Sequence, residues 1–502
     1  MHEIGKDRIE RASMALPSAP AVTRRTLIRA LGVTVPAVFL AACGVQPAPT
    51  PAATQAAAPT AATTPQAAAT TVSAAAKPAA AGQTTLTFWH SFTTGAQADA
   101  WKQLVADFEQ ANPQFKMETE ATAWADTVWM QKVTTAVAGG APPDGMIERA
   151  GSVQYSVIKA IRPLDDYMKS SNIDPTSYFY KFYMDVNVLN DQYWGIPWAP
   201  DIVLLYLNRA HLQEAGLPTD RGPKDWAEQS DWDTKLTKTD SSGKIIQLGH
   251  VPDYGGAIRL TQYVYANDGW FFSPDYLKAT YDSPKDVEAL EWYVAQYDKH
   301  GGVEKVAAFS DSVGQGAQGA PFLAGKLSMF PTYDYFAAQV KQFAPNLDYL
   351  VVPMPGNVGA QHRAQTGSNH INMFQGTKYP DEIWKFINFM IQKPQQIFWF
   401  KSTGSISANV DAMASPEFQA SPTMKLIKAE QDSNPRNYVF HPLIQSFAAA
   451  ERSTATDLAL HHKMTAKDAL IAANKNVQAN LDSALGQLKA QGYSEIKFAK
   501  AE

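Results

Sequence analysis

Cysteine is almost missing from this chain: Cys43 is the only one in 502 residues. Beyond that position disulfides, iron–sulfur clusters and thiol catalysis are excluded. Long apolar runs are scarce as well. Ala30 to Ala42 is thirteen residues, broken by Gly32 and Pro36, against the roughly twenty that a membrane-spanning helix needs. Positive charge is not in excess, since 43 Lys and Arg stand against 48 Asp and Glu. Nucleic acid is therefore not expected as a partner. Neither Gly-x-Ser-x-Gly nor His-Glu-x-x-His occurs, so two common catalytic motifs have no footing. His461 and His462 are adjacent and would point apart on a helix, so no metal and no cofactor is expected. No internal repeat is present.

What is present starts with an address. Arg24-Arg25 precede the apolar stretch Ala30 to Phe39, and Leu40-Ala41-Ala42-Cys43-Gly44 closes it. A basic segment, an apolar segment and a small-residue cleavage site make a secretory signal, here of the twin-arginine type. The tetrad ending at Cys43 resembles a bacterial lipobox, in which the cysteine sulfur is acylated and becomes the first residue of the mature chain. Residues 1–42 are thus expected to be a signal peptide, with Met14 an alternative start. Cys43 would be a lipid anchor at the outer, extracytoplasmic face of the cell membrane. Residues 43–83 are almost wholly Ala, Thr, Pro and Gln, too poor in apolar bulk to offset ordering entropy. They read as a tether with a coil span of roughly 35 Å. The chain from Cys43 on carries 37 basic and 45 acidic residues, a formal charge of −8.

From Thr84 onward about 420 residues are enough for two domains. Leu86 to Trp89 reads as a strand, and Gln97 to Gln110 as a helix with Trp101, Leu104, Val105 and Phe108 on one face. A strand from Phe115 to Glu120 follows, then a helix bearing Trp129, Val133 and Val137, stopped by Gly139-Gly140. Such alternation predicts an α/β fold with a mostly parallel sheet, in which ligands sit beyond the carboxyl ends of the strands. Ile202 to Leu207 reads as a buried strand opening a second α/β unit. Helices are expected over 283–300, 380–392 and 466–489, and a strand over 327–330.

The order of several short segments resembles that of extracellular solute-binding proteins of sugar-type ABC importers, a group that includes maltose-binding and glycerol-3-phosphate-binding proteins. The segments are Leu86-Thr87-Phe88-Trp89-His90-Ser91-Phe92, Ala138 to Asp144, Pro163 to Tyr167, Trp194-Gly195-Ile196-Pro197, and Leu205 to Arg209 with Ala215-Gly216-Leu217. Phe322 to Met329 and Trp384 to Phe389 complete the set. The resemblance runs from Thr84 to about Gln491. It implies a two-lobed periplasmic-binding-protein-like fold, with a ligand cleft between lobes joined by hinge strands. Lobe one would span 84–200 plus 367–408, and lobe two 201–366 plus 409–502. It further implies capture of a sugar or oligosaccharide by hinge closure, delivery to the importer's membrane subunits, and a monomer. Two departures stand out. Gly404-Ser405-Ile406-Ser407 replaces the usual Gly-x-x-Pro, and Pro331-Thr332-Tyr333 stands where relatives carry Gly-Ser-Trp or Gly-Pro-Trp.

A neutral sugar needs aromatic plates and short polar groups at fixed distances. His90, Ser91, Trp124 and Glu148 follow or end predicted strands, and Trp198 and Asp201 flank the predicted hinge. Tyr254 and Trp270 lie in second-lobe loops, Tyr333 and Asp334 replace the relatives' Trp segment, and Gly367-Ser368-Asn369 sit at the second crossing. Tyr438 and Phe440 are C-terminal loop candidates. Core packing is the competing role for the tryptophans. A phosphate ligand, as in a glycerol-phosphate binder, would call instead for Arg149, Arg363 or Arg436. A secreted glycosidase needs two carboxyls about 5 to 9.5 Å apart. Asp165, Asp166, Asp201, Asp253 and Asp334 supply carboxylates without any spacing that pairs two of them. Cys43→Ser is expected to move the protein from the membrane fraction to the soluble fraction while leaving solute affinity unchanged, which fractionation and a binding assay on the released protein would check.

Overall fold

The computed structural model describes residues 82–149, 151–254, 259–313, 320–360, 363–433, 435–437 and 441–499. The expected signal, Cys43, nearly all of the tether, Tyr438 and Phe440 lie outside them.

The first sheet grows as the alternation predicts. Strand β1 (Thr84–His90) leads to helix α1 (Gly95–Ala111), strand β2 (Phe115–Ala121), helix α2 (Asp126–Ala138) and strand β3 (Gly145–Glu148). Helix α1 buries Trp101, Leu104 and Phe108 and stops before Pro113, whose ring disfavours helix in the residue ahead of it. A two-residue turn, Asn190-Asp191, then links β4 (Val188–Leu189) to β5 (Gln192–Tyr193). Both turn residues have positive φ, 51° and 60°, as a type I′ hairpin requires.

Strand β6 (Ile196–Asn208) is thirteen residues long and buried throughout. The sheet's remaining strands are β7 (Met329–Tyr333), β8 (Tyr349–Val352), β9 (Gln365–Met373) and the short β10 (Arg436–Asn437). The eight strands run β8-β6-β9-β3-β1-β2, with β7 also on β6 and β10 also on β9. The sheet is mixed, which corrects the expectation of a mostly parallel one. β1 is parallel to β2 and β3, and β9 to β10, whereas β9 pairs antiparallel with β3 and β6, and β7 and β8 antiparallel with β6. The first half of β6 pairs with β9, from Ile196 opposite Ile371 to Ile202 opposite Thr366. From Val203 opposite Tyr333 its partner becomes β7. At this change the β9 register shifts between Gly367 and Asn369, and Ala199 takes φ 48°. A left-handed alanine costs on the order of 1–2 kcal/mol. The Asn369 side-chain amide, donating to Ala199 O at 3.0 Å, holds it there.

Two apolar cores flank this strand. One gathers Leu86, Phe88, Trp101, Phe108, Ile147, Trp198, Ile371, Phe386 and Trp399. The other gathers Val203 to Leu207, Trp226, Tyr263, Leu290, Phe330 and Val477. Helices observed at Pro284–Asp298, Pro380–Ile391 and Ala466–Ala490 fall within two residues of their expected bounds. The expected strand at 327–330 lies later, as β7. His461 and His462 are not helical, because their helix ends at Leu460. The chain end folds back: Asn190 N–H donates to Lys497 O at 2.8 Å, and Phe498 packs on Tyr276 and His441.

Asp233 ties three segments of the second core together. Its carboxylate accepts from His250 N–H at 2.7 Å and from His300 Nε2 at 3.0 Å, with Lys299 Nζ at 3.3 Å. Burial alone would raise its pKa. The His300 hydrogen bond and charge, with His250 and Lys299, outweigh that and hold it below the ordinary value. The carboxylate therefore stabilises the fold above about pH 3.9, and that contribution is lost as pH falls through the depressed folded value. Asp233→Asn is expected to cost about 3–5 kcal/mol at pH 7, the penalty for breaking a buried pair. The gap to wild type should narrow in urea titrations at pH 3.

Candidate solute-binding site at the strand crossing

Three backbone segments meet where β6 changes partners. β3 ends at Glu148 and hands Arg149 to the crossing, β6 brings Asp201 opposite Gly367 of β9, and β7 ends in Tyr333 with Asp334 and Tyr335 behind it. Arg149 Nη2 donates to Asp201 Oδ2 at 2.6 Å; the aspartate side chain is 3% exposed and the arginine side chain 26%. Burial works against the guanidinium charge. The Asp201 carboxylate, with the Tyr333 and Tyr335 phenols, outweighs it and raises the pKa of Arg149 above the ordinary arginine value.

The groups around this pair are held by hydrogen bonds but keep unused polar atoms. Thr366 Oγ1 donates to Asp201 O at 2.5 Å. Ile202 N–H donates to Asp334 Oδ1 at 2.9 Å, and Asp334 N–H returns a bond to Ile202 O at 3.0 Å. Tyr333 and Tyr335 stack at 5.5 Å between ring centres, and Gln365 Nε2 donates to Tyr333 Oη at 3.4 Å. Among the described residues, Asp201 Oδ1, Asp334 Oδ2, Gln365 Oε1 and Asn369 Oδ1 are buried with no hydrogen-bond partner. These atoms keep hydrogen-bonding capacity that the described protein groups around them do not use.

Two further groups set the charge. Burial first, then the charge of Asp201, push the Asp334 carboxyl well above the usual range. His370 is fully buried with neither ring nitrogen partnered. Burial and then Arg149 lower its pKa to about 3, so it is neutral. Arg149 and Asp201 form an ion pair at the centre of this group.

The structure brings Asp201, Tyr333, Asp334, Gly367 and Asn369 together and sends other candidates elsewhere. His90 shares a strand face with Leu86 and Phe88, and its ring lies 4.6 Å from Trp101. Phe92 N–H donates to its Nδ1 at 3.2 Å. Burial, then Lys132, lower its pKa to about 4. His90 is thus a core residue, and its expected turn toward the cleft is corrected. Trp198 is likewise core: it shares a strand face with Ile196, its ring is 4.4 Å from Trp399, and its Nε1–H donates to Met390 O. Glu148 is fully buried opposite His370. Ser91 is half-buried, and Ser368 Oγ donates to Asn369 O at 2.7 Å. Trp124 is half-buried against Trp129 at 5.3 Å, and Tyr254 is buried in the second core. Trp270 is half-buried, stacked on Tyr265 at 4.9 Å with the Arg436 guanidinium 4.6 Å from its ring centre.

Tyr335, Gln365 and His370 were not anticipated, and Arg149 was considered only as a phosphate ligand. A second aromatic two residues after Tyr333 was a readable sign. Nothing in the sequence links Arg149 to Asp201 across 52 positions.

The chain matches the profile of the bacterial extracellular solute-binding protein family over residues 103–426. A putative binding protein of Brucella abortus is 25% identical over 341 residues, 66% of this chain and 77% of the relative. The sn-glycerol-3-phosphate-binding periplasmic protein UgpB of Salmonella paratyphi A is 24% identical over 346 residues, 65% of this chain and 74% of UgpB. CpMnBP1 with mannotriose bound superposes with a TM-score of 0.70 at 24% identity, covering 78% of this chain and 99% of that one. The sugar-binding protein MalE from Xanthomonas citri superposes at 0.67 with 19% identity, covering 81% and 99%. At these identities the likeness establishes the two-lobed α/β fold.

A raised carboxyl pKa stabilises the fold fully below the unfolded value near 3.9, and the benefit is lost as pH rises toward the folded value. Asp334→Asn keeps an oxygen for Ile202 N–H and removes the titration. Its stability relative to wild type is expected to grow from pH 4 to pH 8, as read by denaturant unfolding at both pH values.

Proposed function

The chain belongs to the bacterial extracellular solute-binding protein family, and from that premise we propose that it captures a neutral sugar or oligosaccharide for an ABC importer. The observation that carries this reading is the group of buried, unpartnered acceptors at Asp201, Gln365 and Asn369 beside the Tyr333–Tyr335 stack. A sugar presents hydroxyl donors and an apolar C–H face, which fit an acceptor cluster beside aromatic plates. Solved relatives carry mannotriose and mannobiose, which supports the same solute class. Binding is by population shift: a solute that touches both lobes favours the closed arrangement, and the importer's membrane subunits receive it.

The lobes are proposed to divide at 84–200 plus 367–408 and 201–366 plus 409–502, a division that fits the partner change of β6 at Ile202 and Val203. The family is extracellular, so the chain is exported. Twin-arginine export, anchoring through lipid on Cys43 and action as a monomer belong to this proposal. Trp124 and Trp270 remain proposed plates at the rim. UgpB relatives favour a second reading, a glycerol-phosphate binder, but the pairing of Arg149 with Asp201 weighs against it. Catalysis is not part of either reading. Turnover of an oligosaccharide, abolished by Asp201→Asn, would overturn both.

A panel of sugars, polyols and glycerol phosphate, read by melting temperature and tryptophan emission, tests the reading. A solute at a hundred times its Kd adds about 2.7 kcal/mol of stability, so the right one should stand out. Tyr333→Ala and Trp124→Ala should each weaken that solute at least tenfold, about 1.4 kcal/mol, in folded protein. Unchanged affinity in both would remove the site from this crossing.

A further inference from the structure

Arg149 is partly exposed at the proposed site, and an exposed guanidinium in a binding cleft is ordinarily the seat of a phosphate or carboxylate. Here that seat is already taken. Asp201 Oδ2 lies 2.6 Å from Arg149 Nη2, and among the described residues no other carboxylate forms an ion pair with Arg149. Asp201 has little freedom to leave. Its side chain is buried, its carbonyl accepts from Thr366 Oγ1, and its backbone stands opposite Gly367 in the sheet. Among the described residues, the groups that face the guanidinium offer an incoming anion no second cation: Tyr333 and Tyr335 are phenols, and His370 is enclosed with both ring nitrogens unpartnered. An anionic solute would meet, at contact range, a carboxylate whose side chain is itself buried, where like charges repel more strongly than in bulk water. A hydroxyl meets a usable acceptor, Asp201 Oδ1, beside a charge-neutral pair.

We propose that Asp201 is the specificity-determining residue of this site: as the built-in counter-ion of Arg149 it admits uncharged polyhydroxylated solutes and turns away those bearing phosphate or carboxylate. Removing its charge exposes the guanidinium and converts the site into an anion binder. This rests on the receptor reading above, deepening it from a solute class to the group that selects it.

The test uses the exported chain as wild type, Asp201→Asn, Arg149→Gln and the double variant. Titration calorimetry at matched ionic strength employs sn-glycerol 3-phosphate and inorganic phosphate as anionic probes and mannobiose as the neutral one. The expected result is a gain of at least tenfold in anion affinity for Asp201→Asn over wild type, lost again in the double variant. Folded Asp201→Asn with no gain overturns the proposal, as does wild type binding glycerol 3-phosphate as tightly as that variant does. Should Asp201→Asn not fold, wild type decides: a melting-temperature rise with glycerol 3-phosphate overturns the proposal, and a rise with mannobiose alone supports it. Failure of every neutral sugar to bind wild type contradicts the receptor reading instead, and the anion gain in Asp201→Asn still decides the role of Asp201.

Discussion

One strand, β6, constrains everything else in this protein. It is buried along its whole length, so each of its peptide groups must find a partner in a neighbouring strand. It does so by serving two sheet regions in turn, β9 up to Ile202 and then β7 and β8. The chain must bend where the partners change, and the bend is visible in the left-handed Ala199 and in the register shift of β9. Pro197 and Pro200 on either side carry no N–H to satisfy, which makes the irregular stretch tolerable. A crossing of this kind is a place where side chains from two cores converge.

The polar site follows from that convergence. Regular sheet satisfies its own backbone and leaves no reason for a carboxylate in the interior. At the irregular crossing, Asp334 supplies the bond that Ile202 N–H needs, and Asn369 pins Ala199. Asp201 and Arg149 arrive as a pair, each tolerable in a half-dry site because of the other. Burial raises the pKa of Asp334 and lowers that of His370, in both cases disfavouring an uncompensated charge in the interior. The same arrangement leaves Asp201 Oδ1, Gln365 Oε1 and Asn369 Oδ1 buried without a hydrogen-bond partner.

Much of this was readable from residue order. Helix α1 followed from Trp101, Leu104 and Phe108 at helical spacing, and the crossing from the apolar run after Pro200. Asp201 was a candidate because it flanks the expected hinge, and Tyr333 and Asp334 because they stand where relatives carry a Trp segment. His90 and Trp198 were misplaced because the end of a strand leaves its facing residue undetermined by sequence alone. Only the register shows that His90 shares the face of Phe88 and Trp198 that of Ile196. The Arg149–Asp201 pair was invisible, since an ion pair between two strands depends on sheet order, and antiparallel insertion of β9 beside β3 was not anticipated.

Solution X-ray scattering of the exported chain, without solute and with a saturating sugar found by the binding screen, tests the central claim most directly. A hinge at the β6 crossing that closes over a solute predicts a smaller radius of gyration in the bound state, with the fall abolished when Tyr333 is truncated. Saturated binding with an unchanged radius of gyration would contradict closure and with it the role assigned to the crossing.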